Sequence, residues 1–118
     1  MDASAVAIAC GATYVARWTS AHPQGIKRAV KQAISHKGFS LVHTLSQCPT
    51  QAGRYIHGTS RANDLLENYK EQTVTRKKAE KLSADELSER IMIGTLHQSD
   101  QRPELCESVA ALHTAVKG

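Results

Sequence analysis

Between Ala12 and Leu45 the chain changes from strand-like to helix-like character and back again. Ala12 to Arg17 (ATYVAR) is built largely from β-forming residues. Trp18 to His22 reads as a loop. Pro23 suits the first position of a helix, where its missing N–H has no intrahelical partner to lose. Ile26, Val30, Ala33 and Ile34 then recur at helical spacing, with Lys27, Arg28, Lys31 and Gln32 on the opposite side. His36-Lys37-Gly38 ends that helix, and Phe39 to Leu45 reads as a second strand. A strand–helix–strand unit in one sheet places its strands parallel, with a right-handed crossover. Parallel strands need cover on both faces, and a two-stranded pair is marginal by itself. The unit is therefore expected to be the end of a larger parallel sheet, whose other strands lie outside this chain or on a partner.

The flanks are read in the same way. Ala3 to Ala9 predicts a short helix, capped by Asp2 at its start and by Gly11 at its end. Pro49 to Thr59 is a polar loop, and Ser60 to Tyr69 predicts a helix with Leu65, Leu66 and Tyr69 on its apolar side. Lys70 to Lys81 is polar and has no decisive period. Ser83 and Glu86 have the spacing of a capping box. Ile91 to Leu96 reads as a short extended piece. Pro103 opens a last helix, whose stripe of Leu105, Val109, Leu112 and Val116 suits a core or a partner contact. Neither an internal repeat nor a low-complexity tract is present.

Composition narrows the function classes. A chain of 118 residues is the size of one domain. Fifteen Lys and Arg against 11 Asp and Glu leave a mild net charge of +4. The basic run Thr75 to Lys81 has Glu80 inside it and few aromatics for bases to stack on, so it reads as a solvated face and no nucleic-acid partner is expected. No run is long and apolar enough to span a bilayer. Met1-Asp2 lacks the basic start of a secretory signal, and a cytoplasmic location is expected. The three cysteines, Cys10, Cys48 and Cys106, are far apart and form no Cys-x-x-Cys pair. Cys10, in the apolar run Ala5 to Cys10, and Cys106, in a helical stretch after Pro103-Glu104-Leu105, are expected to be small buried hydrophobes. Six histidines are scattered without metal-ligand spacing, and there is no phosphate-binding glycine loop and no nucleophile elbow. The residues compose no complete active site, and no catalytic or cofactor-binding residue is assigned.

A resemblance then becomes visible. Ala9-Cys10-Gly11-Ala12-Thr13-Tyr14-Val15-Ala16-Arg17, an amphipathic helix, His36-Lys37-Gly38-Phe39-Ser40-Leu41-Val42 and Ser46-Gln47-Cys48-Pro49-Thr50 follow in an order and spacing that resemble the β subunit of 2-oxoacid:ferredoxin oxidoreductases. This is the subunit that binds thiamine diphosphate. Gly53-Arg54, Leu65 to Asn68, Leu82 to Glu86 and Ile93-Gly94-Thr95-Leu96 resemble the C-terminal extension of the 2-oxoglutarate-using members. Pro49-Thr50-Gln51-Ala52 is closer to the general family form than to that branch.

The resemblance implies an α/β fold: residues 1–50 as the C-terminal βαβ portion of a thiamine diphosphate-binding domain, and residues 51–118 as a mostly helical C-terminal extension. It implies oxidative decarboxylation of a 2-oxoacid, foremost 2-oxoglutarate, to an acyl-coenzyme A, with electrons passed through a [4Fe–4S] cluster to ferredoxin. Thiamine diphosphate with Mg2+ and the cluster belong to the complete enzyme. The Gly-Asp-Gly motif and the other cluster cysteines are absent here, so the chain alone is expected to bind no cofactor and to be inactive. Cys48 matches the last cluster ligand. The implied partners are the upstream part of the β subunit, the α subunit, ferredoxin and coenzyme A. A docking or assembly module that keeps the scaffold without catalysis is the alternative.

Overall fold

The computed structural model describes residues 1–117 as a mixed α/β fold around a four-stranded sheet. Helix α1 (Ala3–Ala9) leads to β1 (Tyr14–Thr19), α2 (Pro23–Ser35) and β2 (Ser40–Leu45). A π-helical turn (Pro49–Gly53) precedes α3 (Ala62–Gln72), β3 (Thr73–Thr75), α4 (Arg76–Ala79), α5 (Ala84–Ser88), β4 (Ile91–Gln98) and α6 (Leu105–Lys117). The strand order is β2-β1-β4-β3.

Both ends of α1 follow from its sequence. The Asp2 carboxylate accepts from the Ser4 and Ala5 amides at 2.9 and 3.2 Å. At the other end the Gly11 N–H reaches the Ile8 carbonyl and the Ala12 N–H reaches the Ala7 carbonyl, both at 2.9 Å. This is a Schellman closure, with Gly11 at φ 94° where a side chain would be strained. Ala12 is thereby committed to the helix end, so β1 starts at Tyr14 rather than Ala12. At its far end Trp18 and Thr19, expected in a loop, pair with Thr44 and Leu45 and stay in the strand.

β1 and β2 are parallel, as the crossover requires, with Tyr14 opposite Ser40 and Thr19 opposite Leu45. One face of β1 packs under α2. Tyr14, Ala16 and Ala29 form its buried centre, and Trp18, Ala33 and Val42 pack against it. Gly25 lets Trp18 in, since a Cβ there would lie 2.3 Å from the indole ring. The other face of the β1–β2 pair meets α1, through an ion pair of Arg17 on β1 with Asp2 and a 3.3 Å contact of Ser4 Oγ with His43 Nδ1 on β2.

The second neighbour of β1 lies within the chain, which corrects the expectation that the sheet continues only outside it. β4 runs antiparallel to β1, from Tyr14 opposite Gln98 to Arg17 opposite Gly94, and β3 runs parallel to β4. The short extended piece expected at Ile91 to Leu96 is thus an eight-residue strand that turns the sheet mixed. β3 and α4 fall within Lys70 to Lys81. The capping box at Ser83 is present, with the Ser83 N–H donating to Glu86 at 3.0 Å. Cys10 and Cys106 are exposed, against the buried role expected of them. Cys10 caps the C-terminal end of α1, and Cys106 sits on α6, whose apolar residues Leu105, Val109, Leu112 and Val116 are all exposed. Among the described residues no helix is long and apolar enough to cross a membrane.

Candidate functional site

Cys48 stands three residues beyond the end of β2. Two contacts hold its approach. The Tyr69 hydroxyl on α3 donates to the Ser46 carbonyl at 3.2 Å, and the Ser20 hydroxyl meets the Gln47 side chain. Pro49 starts the π-helical turn, and Cys48 caps it: its Sγ accepts from the Gln51 N–H at 3.4 Å, and the Thr50 hydroxyl lies 3.5 Å from the sulfur. The turn closes with the Gly53 N–H on the Cys48 carbonyl at 2.7 Å. Gly53 is needed there, because a Cβ would fall 2.5 Å from the Thr59 carbonyl oxygen.

These donors act on the thiol. The Thr50 hydroxyl, then the Gln51 and Ala52 amides, bring its pKa down to about 7, because each stabilises the thiolate. Cys48 is exposed and borders a small cleft of about 70 Å³ shared with His57, Asn68 and Tyr69. A thiolate fixed at a rigid strand exit and open on one side suits one ligand of a metal cluster. The other cysteines do not join it, since Cys10 ends α1 and Cys106 belongs to α6. Among the described residues no group of three His, Cys, Asp or Glu side chains is placed to hold a metal ion. The geometry therefore accommodates Cys48 as a single donor.

A second constellation was not legible in the sequence. Thr13, almost fully buried, joins three parts of the chain. Its hydroxyl donates to the Phe39 carbonyl at 3.2 Å and meets His36 Nε2 at 2.9 Å, and its own carbonyl accepts from the Ser99 N–H at 2.8 Å. Gly38 makes the approach possible. It adopts φ 129°, and a Cβ there would lie 2.2 Å from Thr13 Oγ1. The Gly-Ala-Thr and His-Lys-Gly-Phe stretches, separated by the 22 residues from Tyr14 to Ser35, are thus the two halves of one joint. Its His36 borders a cavity of about 710 Å³ together with Lys37, Asp100, Arg102 and Glu107.

No family model matches the chain. The 2-oxoglutarate synthase subunit KorB of Methanocaldococcus jannaschii is 39% identical over 117 residues, covering 99% of this chain and 43% of that protein. The chain is a relative of the KorB subunits. The KorB likeness spans both the sheet and the Cys48 turn, and the chain covers about two-fifths of the KorB length. A shorter match, 42% identity over 45 residues, joins it to the β subunit of 2-oxoacid:ferredoxin oxidoreductase 2 of Aeropyrum pernix, covering 38% of this chain and 15% of that one. The resemblance stated from the motifs, to the β subunit of these oxidoreductases and to its 2-oxoglutarate branch, therefore holds. Among solved structures, the 2-oxoglutarate:ferredoxin oxidoreductase of Magnetococcus marinus, with 2-oxoglutarate, coenzyme A and succinyl-CoA bound, superposes on all of this chain and 40% of its own, with a TM-score of 0.72 at 24% identity. That likeness supports the same α/β fold for the KorB-related chain.

Proposed function

We propose that this chain forms part of the β subunit of a 2-oxoacid:ferredoxin oxidoreductase, with 2-oxoglutarate as substrate. The observation that carries the reading is the KorB match, which runs at 39% identity through nearly the whole chain. In this reading residues 1–50 complete the thiamine diphosphate-binding domain and residues 51–118 form its extension. The rest of the β subunit, the α subunit, ferredoxin and coenzyme A are the partners, in the cytoplasm.

Cys48 is the residue assigned a direct role, as one ligand of a [4Fe–4S] cluster whose other donors come from beyond this chain. Three features support it: an exposed sulfur, a pKa of about 7, and a turn held by Tyr69 and Gly53. When bound, the cluster supplies one-electron transfer, and thiamine diphosphate with Mg2+ supplies an electron sink for decarboxylation. This chain's share is to hold a thiolate at a fixed place and to keep the sheet behind it intact.

Co-expression with the upstream β portion and the α subunit, followed by anaerobic purification, tests the proposal. The complex is expected to be brown, and Cys48→Ser is expected to lose the iron–sulfur absorbance and most of the bound iron. Cys10→Ser and Cys106→Ser are expected to keep both. A Cys48→Ser complex with unchanged iron content removes Cys48 from the ligand set. One observation favours the second reading, a docking module without catalysis: the four apolar residues of α6 are exposed and available to a partner. A stable but colourless wild-type complex would establish that reading instead.

A further inference from the structure

Helices α1 and α2 lie on opposite faces of the β1–β2 pair, and their placement says where a further strand belongs. Tyr14, Ala16 and Val42 pack on the α2 side, with Ala29. Arg17 and His43, at the intervening positions, meet Asp2 and Ser4 on the α1 side. The crossover through α2 carries the chain from β1 to its neighbour β2. Crossovers between parallel strands of one sheet are right-handed. A right-handed crossover on the opposite face steps across the sheet in the opposite sense. A parallel strand that leads through α1 into β1 must therefore stand on the β2 side of β1. The place beside β1 is taken by β2 itself, so the free place is the outer edge of β2.

We infer that the outer edge of β2 seats a parallel strand from the segment preceding this chain, with α1 as the crossover from that strand to β1. The inference rests on the reading of the chain as part of a longer β subunit, since it covers 43% of the KorB length. The backbone of β2 is set for it. The Phe39 and Leu45 carbonyls accept from the Tyr14 and Ser20 amides at 3.1 and 2.8 Å, so they face β1. Direction alternates along a strand, so Ser40, Val42 and Thr44 turn their N–H and C=O groups to the outer side. Among the described residues no strand pairs with them there. The edge also lacks the usual guards. Ser40 to Leu45 holds no proline and no lysine, and it pairs with β1 in unbroken register. The opposite edge, β3, is only three residues long. At the start of β2 an apolar cleft of about 390 Å³ opens between Ala7, Cys10, Phe39 and Leu41, and Phe39 is 65% exposed. A parallel strand between two helical layers is buried on both faces, so the incoming segment is expected to be a nearly continuous apolar run.

The edge dictates which amides respond and which substitution blocks it. Amides of Leu41 and His43 point to β1 and are protected in the chain alone, whereas those of Val42 and Thr44 await the incoming strand. Thr44 is exposed, and its N–H bonds nothing within the chain. A proline is tolerated on an edge strand where the N–H faces outward. Thr44→Pro therefore leaves the β1 ladder intact, while it removes a donor and puts a ring in the path of the new strand. Thr44→Val keeps the donor and serves as its control.

The test is residue-resolved hydrogen–deuterium exchange by NMR on the isotope-labelled full chain, alone and co-purified with the upstream β portion. The Val42 and Thr44 amides are expected to exchange about tenfold or more slowly in the complex, with little change at Leu41 and His43. Thr44→Pro is expected to keep the thermal melt of the free chain and to weaken association about tenfold or more, and Thr44→Val to associate like wild type. No association, Val42 and Thr44 amides as open in the complex as in the chain alone, or Thr44→Pro binding as tightly as Thr44→Val overturns the proposal. Neither readout depends on iron or turnover. A colourless complex with a protected β2 edge would uphold the strand and count against the functional reading, and a brown complex with an open edge would overturn the strand alone.

Discussion

A cysteine acts as a nucleophile or a ligand only as its thiolate, so what surrounds Cys48 matters more than its exposure. Its sulfur receives the Thr50 hydroxyl and the Gln51 amide, and its pKa falls to about 7. Cys106 is equally exposed, but the Glu104 carboxylate accepts a hydrogen bond from its thiol and repels the thiolate, which raises its pKa. The two sites should therefore separate under alkylation. At pH 7, in the absence of metal, iodoacetamide is expected to modify Cys48 on the order of tenfold faster than Cys106. The Cys48 rate should climb most steeply near pH 7. Thr50→Val is expected to move that rise to higher pH, as peptide mass spectrometry of the time course would record. Equal rates at the two cysteines would contradict the assignment.

At the scale of one element, α1 shows how a short helix is held. Seven residues are too few to be stable in isolation. Asp2 supplies the cap and also pairs with Arg17, whose side chain is only 12% exposed and whose Nε finds no partner among the described residues. Partial burial alone would raise the Asp2 pKa, but the Ala5 amide, the Arg17 charge and the Ser4 amide outweigh it and hold the carboxylate below its usual value. Asp2→Ala is expected to cost about 1 kcal/mol in denaturant unfolding, the usual worth of a cap. A depressed carboxylate stabilises above its unfolded pKa and stops doing so as pH falls through the folded one. The difference between wild type and Asp2→Ala should therefore hold steady above about pH 5 and close below about pH 4. A difference that persists at pH 2 would point to packing instead of the charge.

For the whole molecule, the decisive contact is β4 against β1, because it joins the two ends of the chain in one sheet. β1 carries the buried centre, with Tyr14, Val15 and Ala16 all at or below 1% exposure. Removing residues 82–118 would strip one edge of that strand and leave its N–H and C=O groups unpaired in an apolar setting. A chain ending at Lys81 is expected to be insoluble, or to lose its cooperative melt by circular dichroism. A soluble, cooperatively melting 1–81 fragment would show that β4 is dispensable.

How much of this was legible depended on how far each signal reaches along the chain. The cap at Asp2, the closure at Gly11, Pro23 at the start of α2 and the capping box at Ser83 are interactions within a few residues, and the sequence by itself determined them. The parallel pairing of β1 with β2 was equally determined, because one crossover helix leaves little choice. The order of the motif residues also sufficed to place the chain beside the KorB subunits. Burial was a different matter: Cys10, within an apolar run, Cys106, in a helical stretch, and the apolar stripe of α6 all face outward. The pairing of β4 with β1 was hidden too, since the register shift between Val15 and Ala16 and the positive φ of Gly94 interrupt the two-residue period that marks a strand. The joint of Thr13, His36, Gly38 and Ser99 was decided only by the tertiary structure. Its hydrogen bonds cross from 23 to 86 positions of sequence, and no local preference encodes which distant groups will meet.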